Sequence, residues 1–196
     1  VLSGWTKTFD LGFNGAATPT ADGGTSDSAS LNTGLTFTND NDEYRAAVGA
    51  RYWLATVDGN KSQNAFRAYG TYDKYLKDVD PKLFVFGRAQ YDFDEIQAFY
   101  QRVSGFGGVG YDFIKRDNYT MSGRVGLGAT QDFGRAETDD FRVEALAGID
   151  GKWVIDPRQT FNYSFYFFPS LSDFSDGRVV SNVWYEADID QAKGLA

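Results

Sequence analysis

The chain has 196 residues, a formal charge of −8, no cysteine and no histidine. That length suits one domain spanning residues 1–196, and nothing in the composition demands a second. The acidic balance would repel phosphates and excludes a generic nucleic-acid partner, while the missing Cys and His remove disulfides, thiolate metal sites and every Ser-His-Asp or Cys-His arrangement.

Phe (17), Tyr (12) and Gly (22) are abundant, a balance that favours strands and tight turns over helices. No stretch approaches the ~18 consecutive apolar residues of a spanning helix. The mean hydropathy of −0.42 does not exclude a membrane barrel. A crossing strand needs only about 9–11 residues and exposes apolar groups at alternate positions, so its average looks polar. No secretory signal is visible at Val1, and the expectation is a chain that begins after one.

Period-two alternation recurs along the chain. In residues 5–13, Trp5, Phe9, Leu11 and Phe13 oppose Thr6, Thr8, Asp10 and Gly12. After a polar loop expected over residues 16–28, Ala29, Leu31, Thr33, Leu35 and Phe37 alternate against Ser30, Asn32, Gly34, Thr36 and Thr38. A turn at residues 39–42 leads to the clearest case, where Tyr44, Ala46, Val48, Ala50, Tyr52 and Leu54 oppose Arg45, Ala47, Gly49, Arg51 and Trp53. Past Asp58, Gly59 and Asn60, Phe66, Ala68, Gly70 and Tyr72 oppose Arg67, Tyr69, Thr71 and Asp73. Leu83, Val85, Ala89 and Tyr91 then oppose Arg88, Gln90 and Asp92, and a short helical turn is predicted near residues 94–100. Five more alternating segments follow, over 103–113, 119–129, 141–149, 161–167 and 179–189. Their spacing of about 16 to 20 residues is long for a sandwich and fits membrane hairpins. Compact turns at 39–42 and 115–118 contrast with longer loops at 16–28, 131–140 and 169–177, although residues 150–159 break that rule.

The predicted fold is therefore all-β, an antiparallel up-and-down transmembrane β-barrel of about ten strands. Three features turn the apolar face outward: aromatic residues at the ends of the apolar faces, isolated charges among glycines on the polar faces, and the loop pattern. The expected location is the bacterial outer membrane, with lipid outside and small solutes or ions as candidate partners. The alternative is a soluble exported β-barrel binding an apolar ligand in its interior, which needs the same faces reversed.

The opening Gly4-Trp5, the region of Asp73 and Tyr75, the step Tyr91-Asp92-Phe93 and above all the run from Gln101 through Arg102, Gly105, Gly107 and Gly110 to Tyr111 resemble the salt-induced outer-membrane protein family (YdiY-like, a domain of unknown function). The resemblance spans nearly the whole chain. It implies an outer-membrane barrel of the Gram-negative envelope with no established catalysis. Family members continue to a terminal aromatic, whereas this chain stops at Gly194-Leu195-Ala196. The resemblance therefore implies C-terminal strands beyond this chain, about twelve in all.

The fingerprint Gly105-x-Gly107-x-x-Gly110 lacks the helix that a dinucleotide site requires, and its glycines read instead as places where aromatic neighbours lie flat, so no cofactor is expected. Asp92, Asp94 and Glu95, and Asp139 with Asp140, are near in sequence but read as solvated turn charges, as do Asp58 with Asn60 and Asp173 with Asp176; no catalytic or metal residues are assigned. The candidate functional residues are the lumen charges Arg45, Arg51, Arg67, Asp73, Arg88, Asp92, Arg102, Asp112, Arg124 and Glu144, with Asp10 and Asp150 as further partners. They form either a selective pore lining or Arg–carboxylate staples in a plugged lumen.

Overall fold

A computed structural model describes residues 4–19, 24–96, 99–134, 140–172 and 177–187. Its regular structure is ten strands: β1 (Thr6–Pro19), β2 (Thr25–Asp40), β3 (Tyr44–Val57), β4 (Asn60–Tyr75), β5 (Leu83–Asp94), β6 (Phe99–Arg116), β7 (Tyr119–Gly134), β8 (Asp140–Asp156), β9 (Gln159–Pro169) and β10 (Gly177–Ala187). They form one antiparallel up-and-down sheet whose spatial order is the order of the chain. This is the all-β, ten-strand fold that alternation predicts.

Local chemistry closes the hairpins. Asp58 (φ 51°) and Gly59 (φ 75°) make a two-residue turn of the twist that antiparallel strands require. The Asp58 carboxylate also accepts hydrogen bonds from Ser26 Oγ (3.2 Å) and the Asp27 amide (2.9 Å). At the β2–β3 connection Asn41 Oδ1 accepts from the amides of Glu43 (2.9 Å) and Tyr44 (3.0 Å), an Asx turn.

Several expected boundaries move. The described residues of the expected helical turn at 94–100 are not helical: β5 runs through Asp94, the chain bends at Glu95 and Ile96, and β6 begins at Phe99, while residues 97 and 98 lie outside the described residues. The Asp94 side chain accepts from the Ile96 amide (2.9 Å), which produces the bend locally without a helix. Residues 150–159 are not a loop either. β8 continues to Asp156 through a register shift between Val154 and Asp156, leaving only Pro157 and Arg158 to turn. Much of the expected loop 16–28 is ladder, with Ala16 opposite Ser28 and Pro19 opposite Thr25, and β7 carries on to Gly134. Ser, Thr and Asp obscure the alternation there while the backbone keeps pairing. The alternation of short and long connections is partial, since Asp58 and Gly59 alone join β3 to β4 while residues 76–82 join β4 to β5.

The two faces differ as the outward reading requires. Leu11, Val48 and Val125 are 67%, 53% and 58% exposed, and Phe13, Val85, Val103, Phe141 and Phe165 are exposed on the same parity. Ala145, on that parity in β8, is half-buried. Asp73, Asp92, Asp112 and Glu144 are buried on the other. That inner face is not purely polar: Phe84, Phe86, Phe106, Leu146, Tyr166 and Phe168 are buried on it as well. The strands divide along their length into two compact parts, one of Val1–Lys74, Phe86–Phe106 and Ala129–Arg142, the other of Tyr75–Val85, Gly107–Gly128 and Val143–Ala196.

Candidate functional site

The polar face of the first part is a series of cross-strand ion pairs. Arg45 Nη2 on β3 lies 3.2 Å from Asp73 Oδ2 on β4, its register partner. Arg67 Nε meets Asp92 Oδ1 at 2.6 Å; Asp92 Oδ2 accepts from Gln90 Nε2 (2.6 Å), and Gln90 Oε1 accepts from Arg88 Nη2 (3.3 Å). Asp132 on β7 holds two guanidiniums at once, Arg102 Nη2 at 2.6 Å and Arg142 Nη2 at 2.8 Å. Arg51 Nη2 reaches Asp10 Oδ2 at 3.4 Å, a loose contact between groups that are both nearly half exposed.

The second part packs its charges among rings. Glu144, 3% exposed, takes a two-pronged contact from Arg178, Nε to Oε1 at 3.1 Å and Nη2 to Oε2 at 3.3 Å. The Arg178 guanidinium also lies 4.1 Å above the Phe168 ring, a cation–π contact. Arg124 pairs with Asp150, the Tyr166 hydroxyl donates to the same carboxylate (2.6 Å), and the guanidinium sits 5.1 Å from the centre of the fully buried Phe84 ring. Asp112 accepts from the Tyr75 hydroxyl at 2.9 Å.

The glycine fingerprint takes its place here. Gly105, Gly107 and Gly110 lie inside continuous β6, which passes through Asp117 and Asn118 directly into β7. At Gly110 a Cβ would overlap the Phe84 ring and stand 2.9 Å from the Gly123 carbonyl oxygen, and at Gly148 it would overlap the Tyr166 ring. Both glycines let an aromatic side chain of a neighbouring strand lie flat across the backbone.

Between the candidate arginines and the candidate acids, the structure brings together Arg45 with Asp73, Arg51 with Asp10, Arg67 with Asp92 and Arg124 with Asp150. Contacts also reach groups outside those two sets: Arg88 meets Gln90, Asp112 meets Tyr75, Arg102 meets Asp132 and Glu144 meets Arg178. Asp132 and Arg178 each lie just beyond an expected strand end; carrying the alternation three residues past 129 and one residue before 179 finds both. Arg142, on the same parity as Glu144, was equally legible.

The acidic groups set aside as turn charges are otherwise engaged. Glu95 binds Lys61 (3.1 Å) and the Asn64 amide, Asp94 caps its own bend, and Asp58 accepts from Ser26 and Asp27 on β2. Asp139, Asp173 and Asp176 lie outside the described residues, as does the Asp140 side chain. Among the described residues no three acidic groups gather to hold a metal ion. An apolar depression of about 510 Å³ spans β2 to β6, lined mainly by apolar-face residues such as Leu35, Val48, Ala50, Ala68, Ala89 and Val103.

No curated protein matches the sequence. Among solved structures the chain is similar to one described as KdgM porin in complex with disordered oligogalacturonate, at 14% identity and a TM-score of 0.41, covering 94% of this chain and 96% of that one. At that distance the likeness says nothing of what this chain carries. The family described as "Protein of unknown function, DUF481" matches residues 19–194, and with that share of its length inside the match, this chain belongs to it.

Proposed function

We propose that the chain is an integral outer-membrane β-barrel whose sheet closes on itself, with a charge-paired inner lining, and that it serves a structural or permeability role in the bacterial envelope without catalysis. The observation that carries this reading is the inverted polarity: large apolar side chains such as Leu11 (67%) and Val125 (58%) are exposed while Glu144 is 3% exposed. In water so many exposed apolar groups would make an aggregation surface, whereas in a bilayer they are the favourable face. Strands of 11 residues in β9 and β10 up to 18 in β6 are long enough to cross. The soluble alternative needs Leu11, Val48 and Val125 inside, yet all three are exposed, and Val48 is part of the lining of the apolar depression. The resemblance to salt-induced proteins adds an envelope-stress role, checked by comparing growth of a deletion strain in high and low salt.

Fractionation tests the reading. The protein should require detergent to stay folded and should run faster on a gel unheated than heated; recovery as a folded monomer in plain buffer overturns it. Val125→Arg should weaken insertion into vesicles by about 2–4 kcal/mol if that position lies near the bilayer midplane.

A further inference from the structure

The pair Arg51 and Arg67 is unlike the other arginines on the inner face. The two residues are direct cross-strand partners on β3 and β4, an arrangement of like charges that ordinarily destabilises a sheet. Neither is packed away: their side chains are 46% and 47% exposed, against 15% to 26% for Arg45, Arg102, Arg124, Arg142 and Arg178. Nor is either guanidinium satisfied by its acid. Arg67 meets Asp92 through Nε and Arg51 meets Asp10 through one amino group at 3.4 Å, leaving N–H donors of both forks turned to solvent. Beside the pair stands Trp53, two residues along β3 from Arg51, with the Arg51 guanidinium 5.9 Å and the Arg67 guanidinium 6.0 Å from its ring. Gly34 makes room for this grouping, since a Cβ there would sit 3.0 Å from Arg51 Nε and 3.2 Å from Asp10 Oδ2.

Two accessible guanidiniums facing each other beside an indole ring are the complement of a carboxylate attached to a flat ring. The forks accept the carboxylate by paired charge-assisted hydrogen bonds, and the indole face takes the ring. Bringing an anion between them also relieves the repulsion between the two arginines. We propose that this stretch of the inner face binds a ring-bearing organic carboxylate, held by Arg51 and Arg67 and stacked on Trp53. The inference rests on the reading of that face as a water-filled lining and names the class of solute it takes. Asp10 opposes such a ligand, so its carboxylate swings aside when the site fills.

Benzoate titrated into the detergent-solubilised protein at low salt, followed by calorimetry and tryptophan fluorescence, tests the site; benzyl alcohol is the uncharged control and acetate the ringless one. Benzoate should saturate one site and bind at least about ten-fold more tightly than either control. Arg51→Gln with Arg67→Gln should weaken benzoate by about ten-fold or more, Asp10→Asn should tighten it, and Trp53→Leu should weaken benzoate while leaving acetate unchanged. Gel mobility before and after heating confirms that each variant is folded, and Arg51→Lys with Arg67→Lys serves should the Gln pair fail to fold, with a loss of paired hydrogen bonding expected. Benzoate binding no tighter than benzyl alcohol, or equal binding by the folded double variant, overturns the proposal while the barrel stands. Folding in plain buffer without detergent instead removes the barrel reading itself.

Discussion

Around Arg51 and Arg67 the polar face is open to solvent; around Phe84, Leu146 and Phe168 the same kind of face is shut, although both are built from arginines paired with carboxylates of other strands. What differs is the company of the charges. Glu144 meets both prongs of a guanidinium that is itself laid on an aromatic ring, so its desolvation is offset by hydrogen bonds and a cation–π contact. Asp10 meets one amino group at 3.4 Å in the presence of water, where an ion pair contributes little. An arginine–carboxylate pair is therefore a staple in one place and, in the proposal above, part of a surface for a ligand in the other. Burial by aromatic neighbours decides which.

The sharpest way to break this comparison is to remove a partner from the shut region. Arg178→Ala leaves the Glu144 carboxylate buried without its guanidinium, and unfolding in urea should show a loss of about 3–5 kcal/mol. A loss under about 1 kcal/mol would mean that the shut region is as wet as the open one. Next in size is Gly148→Leu, whose side chain must displace the Tyr166 ring and with it the hydroxyl bound to Asp150; about 1–3 kcal/mol is expected in the same measurement. The open region should barely respond in stability: Arg67→Gln is expected to cost under about 1 kcal/mol. Its effect belongs to function, and in a planar bilayer under a salt gradient the reversal potential should move towards cation preference. Smallest of all is Arg51→Gln, whose long contact to Asp10 predicts a stability change within about 0.5 kcal/mol, together with a shift of the reversal potential in the same direction. Stability losses in both open-region variants as large as that of Arg178→Ala would erase the distinction.

Much of this arrangement was legible before any coordinates. The opposition of Tyr44, Ala46 and Val48 to Arg45, Ala47 and Gly49 already assigns β3 its two faces, because side chains alternate across a strand whatever surrounds it. Four of the ion pairs follow from the same parity. Where Ser, Thr, Gly or Asp interrupt the pattern it fails, as at residues 16–19, 131–134 and 150–156, since those backbones go on pairing while their side chains carry no apolar signal. The Arg102–Asp132 and Arg178–Glu144 pairs lie at such ends, and where a helical turn is expected Asp94 instead caps a bend at Glu95 and Ile96.

By itself, then, the sequence determined the number of strands, their antiparallel order and the chemistry of each face, because period-two alternation and turn residues act locally. Only the tertiary structure decided that the apolar parity is the exposed one, since alternation reads the same from either side of a sheet. It also decided which arginines are sheltered, because Phe84 reaches Gly110 and Phe168 reaches Arg178 from other strands, and contacts of that kind leave no periodic trace in the chain.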